Sequence, residues 1–137
     1  MISLELAKQL KNAGLTWEPQ THDFFAVPDT SLADQRFALS DMTVSMEVLH
    51  GHQAITFNGA VEWALDYVFK MEAVWIPTEN QLRTHLLSRL QPPSDFQLSL
   101  KPGGFLCQIV HEGERRLFEA ESVDAAYAHA LLFLLAA

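Results

Sequence analysis

The spacing of hydrophobic residues at the start of the chain predicts an amphipathic helix. Leu4, Ala7 and Leu10 recur at the three- and four-residue intervals that place side chains on one face of a helix. Ser3 stands before this run as a helix N-cap, and Gly14 follows it as a C-terminal stop. We therefore expect a helix between these two residues.

From His22 to Phe57 the pattern changes to short apolar runs of the kind found in β-strands. Val44, Met46 and Val48 give the clearest alternation, because the residues between them are polar. Turn-forming Pro, Gly, Asn and Asp residues separate the runs. The predicted strands span residues 23–27, 36–39, 43–48 and 54–57. Their order predicts an antiparallel meander.

Residues 60–70 are predicted to form a helix with two apolar faces. The face expected to point to the core carries Val61, Leu65, Val68 and Phe69. The second face carries Trp63, Tyr67 and Met71. Since one face is enough to pack against the core of the same chain, the second set is predicted to form a protein interface. The protein is accordingly expected to form a homodimer or to bind a protein partner.

The C-terminal half of the chain predicts a helix, three antiparallel strands and a second helix. Thr78 and Gln81 have the spacing of a capping box, and Pro92 ends the helix that follows. The predicted strands are 96–100, 105–110 and 115–121, with glycine-containing turns between them. In the first strand, apolar residues ending at Leu100 alternate with polar ones. Ser122 caps a last helix, which is apolar on nearly all sides and is expected to be largely buried.

Together these elements predict a single α+β domain that spans residues 1–137, with antiparallel strands packed on helices. The length of 137 residues and the hydrophobic fraction of 49% are typical of one globular domain. The order helix, three strands, helix also occurs in double-stranded-RNA-binding domains. Those domains need basic side chains on the last helix, and the last helix predicted here has no Lys or Arg.

The charge of the chain argues against nucleic acid and anionic membranes as partners. Asp and Glu number 17 and Lys and Arg number 9, which gives a net charge of -8 at pH 7. Between Glu18 and Asp66 there are eight carboxylates and a single base, Arg36. Because phosphate groups are bound by clustered Lys and Arg, a basic protein is the more suitable partner for this acidic region.

The chain is expected to be a soluble cytoplasmic protein without a membrane-spanning segment. Its most apolar segment, residues 123–137, is shorter than the roughly 20 residues that cross a bilayer. The first residues lack the basic and then apolar pattern of a signal peptide. A single cysteine, Cys107, excludes an intramolecular disulfide and fits a reducing compartment.

The sharpest candidate for chemistry is a metal site at His50 and His52. Two imidazoles separated by one glycine can bind one ion if the turn points them in the same direction. Asp41, Glu47 and His22 could supply further ligands, since a stable zinc site needs three or four. Exposed turn histidines are the simpler interpretation of the same pair.

The remaining candidates for catalysis are a cysteine and two pairs of carboxylates. Cys107 lies in the middle of a predicted strand, without a feature that would lower its pKa, so we expect a core residue. Glu62 with Asp66, and Glu119 with Glu121, could each form an acid–base pair, although carboxylates more often simply face water. The protein is therefore expected to be a non-catalytic interaction or accessory module with no cofactor. The alternative is a small metal-binding protein or hydrolase-like enzyme that uses the histidine turn.

Two segments of the sequence are distinctive. They are residues 56–68, TFNGAVEWALDYV, and residues 74–82, VWIPTENQL. Both resemble stretches of a family of small uncharacterised bacterial proteins, some of which are phage-like and some of which carry the label of a pilus-assembly protein. The similarity extends from Leu4 to Glu121. The family has no established activity, so the resemblance implies no functional residue in this chain.

Overall fold

In a computed structural model, the described part of the chain folds into three α-helices and nine strands. The described part comprises residues 1–29, 33, 35–40, 44–57, 67–90 and 95–137. For residues 44–47, 49, 56–57 and 67–69 the description covers the backbone and not the side chains. The helices are α1 (Leu4–Asn12), α2 (Glu79–Leu87) and α3 (Val123–Ala136). The strands are β1 (Phe24–Ala26), β2 (Phe37–Ala38), β3 (Val44–Leu49), β4 (His52–Phe57), β5 (Tyr67–Phe69), β6 (Val74–Ile76), β7 (Phe96–Lys101), β8 (Gly104–His111) and β9 (Glu114–Ala120).

The strands form three antiparallel sheets, and the fold class is α+β, as predicted. The strand orders are β2-β1-β6, β3-β4-β5 and β7-β8-β9. The C-terminal order α2, β7, β8, β9, α3 is the predicted helix, three strands and helix. The chain divides into two compact units: the first unit comprises Met1–Leu15 and Pro77–Ala137, and the second unit comprises Thr16–Ile76. A single domain over residues 1–137 stays a prediction.

Helix α1 begins and ends where the sequence predicts. The Ser3 hydroxyl accepts a hydrogen bond from the Leu6 amide at 3.1 Å, which satisfies one of the free donors of the first turn. At the other end, the amides of Gly14 and Leu15 donate back to the last carbonyls of the helix. This arrangement is a Schellman motif, and it requires the positive φ of 106° that Gly14 adopts.

Helix α2 begins with the predicted capping box. The Thr78 hydroxyl accepts from the Gln81 amide at 3.3 Å, and the Gln81 side chain accepts from the Thr78 amide at 3.0 Å. On the opposite side of this polar start, Leu82 and Leu86 are fully buried. The cap therefore fixes where the helix begins, while the leucines fix which face it buries.

The first unit has its core between α3 and one face of the β7-β8-β9 sheet. Cys107 and Ile109, on the middle strand, are fully buried on this face. The rings of Phe96 and Tyr127 lie 5.7 Å apart, and so do those of Phe118 and another α3 residue, Phe133. Because α3 also packs against α1 and α2, it is largely buried, as its uniformly apolar sequence predicts.

The end of β7 departs from its predicted alternation. Leu100 shares the face of Phe96 and Leu98, yet it is 79% exposed. It lies one residue before the end of the strand, beside the turn at Pro102–Gly103. Its exposure shows that the helices do not cover this end of the sheet. Alternation in the sequence identifies the face of a side chain and not how far the covering helix extends.

The second unit corrects the predicted meander. Strands β3 and β4 form a hairpin whose two-residue turn, His50–Gly51, has the two positive φ values of a type I′ turn, 53° and 80°. Strand β1, however, pairs with β2 and with the later strand β6, so β2 and β3 belong to different sheets. Local sequence signals locate strands and tight turns, whereas the pairing of β1 with β6 depends on contacts between distant residues.

A buried polar contact joins the start of the second unit to its core. The indole nitrogen of Trp17 donates to the buried Asp23 carboxylate at 2.9 Å, and the Gln20 amide donates to the same oxygen at 3.0 Å. The Trp17 ring lies 5.7 Å from that of Phe25, which stacks on Phe37 at 5.4 Å. Because these two hydrogen bonds satisfy its carboxylate oxygen, Asp23 can be buried beside an aromatic core.

The helix predicted over residues 60–70 is wrong in its last part. Tyr67–Phe69 is strand β5, which pairs antiparallel with β4, and Lys70–Glu72 forms a turn of 3-10 helix. Residues 60–66 lie outside the described residues. Tyr, Val and Phe fit a pleated strand at least as well as a helix, and the pairing with β4 provides hydrogen bonds that residue spacing alone does not reveal.

Candidate functional site

The first unit contains a cavity at the N-terminal ends of α2 and α3. Its volume is about 430 Å³. Its wall includes Thr78, Glu79, Phe105, Glu121, Ser122 and Asp124. The capping residues that precede the two helices bring these side chains together, because α2 and α3 begin at the same end of the sheet.

The polar side chains of this cavity hold the helix ends in place. Asp124 is buried and forms an ion pair of 2.9 Å with the Met1 ammonium group, and it accepts from the Ala125 amide at 3.0 Å. Burial alone would raise the pKa of Asp124. Hydrogen bonds from Ser122, the Met1 ammonium and the Ala125 amide, together with the ammonium charge, outweigh burial and lower the pKa below its usual value.

The two hydroxyl groups at the cavity have the same structural role. Ser122 accepts from the Ala125 amide at 3.3 Å, and Thr78 is committed to the capping box of α2. Deeper in the unit, burial raises the pKa of Tyr127, as does the Glu79 carboxylate, while a hydrogen bond with Arg83 acts in the opposite direction. The hydroxyl groups of Ser122 and Thr78 are therefore both engaged in capping the helices that begin at the cavity.

A second candidate site is the outer face and edge of β9. Leu117 is 55% exposed, although it lies in the middle of a regular strand. On the same face, Glu119 forms an ion pair of 2.7 Å with Lys101, and Arg115 is exposed. None of the residues predicted from the sequence as a site lies at Leu117. One feature of the sequence could have revealed this surface. In a strand, Leu117 lies on the same face as Arg115 and Glu119, so a leucine stands among charged residues on the polar face.

The predicted interface residues do not share a helix face. Tyr67 lies in β5, with only its backbone described, and Met71 lies in the 3-10 turn after it, 64% exposed. Trp63 lies outside the described residues. Residues four apart in sequence lie on one face only in a helix. Because the chain is extended at Tyr67, this spacing does not place the three residues together. Their common role in an interface stays a prediction.

The predicted metal site is not assembled in the described part of the chain. His50 occupies the turn and His52 begins β4, opposite Leu49. Among the described residues, no group of three or more His, Cys, Asp or Glu side chains could hold a metal ion. Asp41 and the side chain of Glu47 lie outside them. The metal site at the histidine turn stays a prediction.

The cysteine and carboxylate candidates have different outcomes. Cys107 is fully buried, and burial raises its pKa to about 11, so its thiol stays protonated at neutral pH. It is a core residue, as predicted. Glu119 pairs with Lys101, while Glu121 lies at the cavity, so this pair is divided between two environments. The other predicted pair, residues 62 and 66, lies outside the described residues.

The acidity of the chain belongs almost entirely to the second unit. Residues 16–76 contain nine carboxylates and two bases, a net charge of -7. The first unit contains eight carboxylates and seven bases, a net charge of -1.

Over the part of the chain that the structure describes, no helix is long and apolar enough to cross a membrane.

The first unit thus has two candidate sites. One is a cavity whose polar groups cap helices or form an ion pair, and the other is an exposed strand with an apolar residue at its centre. Comparisons of the chain with protein-family models, with curated proteins and with solved structures give no match.

Proposed function

We propose that the protein is a non-catalytic interaction module of the cytoplasm that binds other protein chains. The observation that carries this proposal is the exposure of Leu117 in the middle of β9. A large apolar side chain among charged neighbours on a regular strand adds little to the core of its own chain. Its burial against a partner would remove apolar surface from water, which is the main driving force of protein association.

Two further observations support an interaction function. Met71 is 64% exposed and Val48 is 71% exposed, so the second unit also presents apolar side chains. The net charge of -7 on that unit favours a partner with a basic surface over nucleic acid or an anionic membrane. In contrast, the hydroxyls and the buried carboxylate at the cavity are engaged in holding helix ends.

Site-specific photo-crosslinking in living cells tests this function. A photo-reactive phenylalanine analogue is placed at position 117, at position 71 or, as a matched exposed control, at the turn residue Glu112. We expect a defined protein adduct from position 117 or position 71 and none from position 112, because only the first two are apolar and exposed. Equal, diffuse labelling from all three positions would contradict the proposal.

A further inference from the structure

Strand β9 has an open edge on the side away from β8. In the described part of the chain, β8 is its only strand neighbour, and residues 114–117 and 119 are exposed. An edge strand presents unpaired backbone amides and carbonyls, which can pair with a strand of another chain. Natural proteins usually protect such an edge with charged side chains, proline or a covering segment. The charges of β9 are in addition arranged in a complementary order.

The hairpin between β8 and β9 determines which backbone groups point to the open edge. Its two-residue turn, Glu112–Gly113, has φ values of 52° and 79°, so the flanking residues His111 and Glu114 form a hydrogen-bonded pair. Hydrogen-bonded and non-hydrogen-bonded pairs then alternate along the ladder. The amides and carbonyls of Arg115, Leu117 and Glu119 therefore face away from β8.

The sequence around Leu117 is complementary to itself when two copies of β9 run antiparallel. With Leu117 opposite Leu117 of the second copy, Arg115 is opposite Glu119, and Glu119 is opposite Arg115. Opposite charges in this position attract, and the two leucines cover each other. Two-fold pairings centred on Arg115, Arg116 or Glu119 would instead place like charges opposite each other at the axis.

We propose that a second copy of this chain pairs with β9 across a two-fold axis at Leu117. The product is a continuous six-stranded antiparallel sheet in the order β7-β8-β9-β9-β8-β7. This inference rests on the proposed interaction function and names the partner of one surface, the edge at Leu117. The exposed Leu117 becomes covered, and the outward backbone groups of Arg115, Leu117 and Glu119 gain partners.

The other face of the sheet is compatible with this pairing. Arg116 lies over the Phe133 ring of its own chain at 5.2 Å. In the dimer it is opposite Phe118 of the second copy, a second aromatic ring on which its guanidinium group can pack. Helix α3 packs on β8 and β9. Two such helices across the axis lie roughly two strand spacings apart, about 10 Å, which is the distance of packed helices.

Sedimentation velocity of the purified full chain over a concentration series tests the pairing. We expect a reversible equilibrium between a 15.4 kDa monomer and a species of twice that mass, with dissociation on dilution because the interface is small. Arg115→Glu alone and Glu119→Arg alone should each weaken the dimer by about tenfold or more, because each replaces two attractive pairs by two repulsive ones.

Mixing the two variants distinguishes strand pairing from other modes of association. An Arg115→Glu chain and a Glu119→Arg chain have opposite charges at both positions when they pair, so the mixture should recover dimer that neither forms alone. Arg36→Glu, an exposed residue of the second unit, is the matched charge control and should leave the dimer unchanged. Circular dichroism of each variant checks that the fold is retained.

A second pair of variants avoids the ion pair between Glu119 and Lys101. Leu117→Asp and Leu117→Lys should each be monomeric, and their mixture should dimerise through one attractive pair at the axis. A wild-type chain that stays monomeric up to about 1 mM would overturn the inference, as would a dimer that is insensitive to both variant pairs. Photo-crosslinking of position 117 to a different protein would then leave the proposed function standing without self-pairing.

Discussion

Single residues at the start of β8 and of α3 show how local geometry fixes the first unit. At Gly104 the backbone of β8 lies so close to that of β9 that a Cβ would collide with the Ala120 carbonyl oxygen. At Asp124 a buried charge is held by an ammonium group, a hydroxyl and a backbone amide. Both sites depend on contacts of the folded chain. The sequence identifies the glycine turn and the acidic first turn, but neither contact.

Gly104→Ala should destabilise the protein by about 2–3 kcal/mol, because the neighbouring backbone must shift to admit a methyl group. Gly113→Ala is the matched control in the same sheet. Gly113 has a φ of 79° and open space where its Cβ would lie, so we expect only the cost of the left-handed conformation, about 1 kcal/mol. Urea unfolding measures both losses of stability. Equal losses would contradict the steric explanation.

Asp124→Asn should reduce the free energy of unfolding by about 1–2 kcal/mol at neutral pH, since it removes a charged hydrogen-bond acceptor. The folded-state pKa of Asp124 is lowered, so its ionised form stabilises the protein fully above the unfolded pKa of about 4. This stabilisation is lost as the pH falls through the folded-state pKa.

Unfolding by urea at pH 7 and at pH 3 measures this dependence. The difference between wild type and Asp124→Asn should shrink at the lower pH. Glu112→Gln, whose side chain is 85% exposed, is the control and should have little effect at either pH. A loss of stability that is independent of pH would show that the Asp124 charge is not its cause.

Whole elements differ in how far local sequence decides them. Helix α1 begins and ends at its predicted caps, and α2 begins at its predicted cap, because capping needs only residues within one turn of the helix. Helix α2 ends at Leu87, earlier than the predicted stop at Pro92. The hairpins at Gly51 and Gly113 follow from the positive φ that glycine permits. Strand β5, in contrast, forms where helical spacing suggested a helix, because its hydrogen-bond partners lie in β4.

Thr78→Ala should destabilise the protein by about 1 kcal/mol, because it removes the hydroxyl that accepts from the Gln81 amide. The matched control is Thr84→Ala, an exposed threonine in the same helix whose hydroxyl donates to the Asn80 carbonyl. Alanine has the higher helix propensity at that position, so we expect no loss there. Thermal unfolding followed by circular dichroism compares the two, and a larger loss at position 84 would contradict the capping role.

At the scale of the whole molecule, the chain provides separate natural probes for its two units. All three tryptophans, residues 17, 63 and 75, lie in the second unit, and the single cysteine, Cys107, lies in the first. Cys107 is fully buried and its pKa is raised to about 11, so a thiol reagent reaches it only when the first unit opens.

The predicted single domain requires that the two units unfold together. Tryptophan fluorescence and Cys107 labelling, measured along one urea series, should give coincident midpoints, since coincidence of independent probes is the test of two-state behaviour. Labelling in full denaturant serves as the control for thiol reactivity. Separate midpoints would contradict the single-domain prediction and assign an independent stability to each unit.

The sequence by itself determined the α+β class, the caps of α1, the start of α2, the tight turns and the apolar character of α3, because these depend on residues that are neighbours in the chain. Only the tertiary structure decided that β1 pairs with β6 and that β5 is a strand. It also placed Leu117 at an exposed edge and engaged Asp124 in a buried ion pair. Backbone hydrogen bonds and burial between distant residues produce these features, and residue spacing does not record them. The acidic region of the sequence likewise became a property of one unit once the fold had grouped residues 16–76.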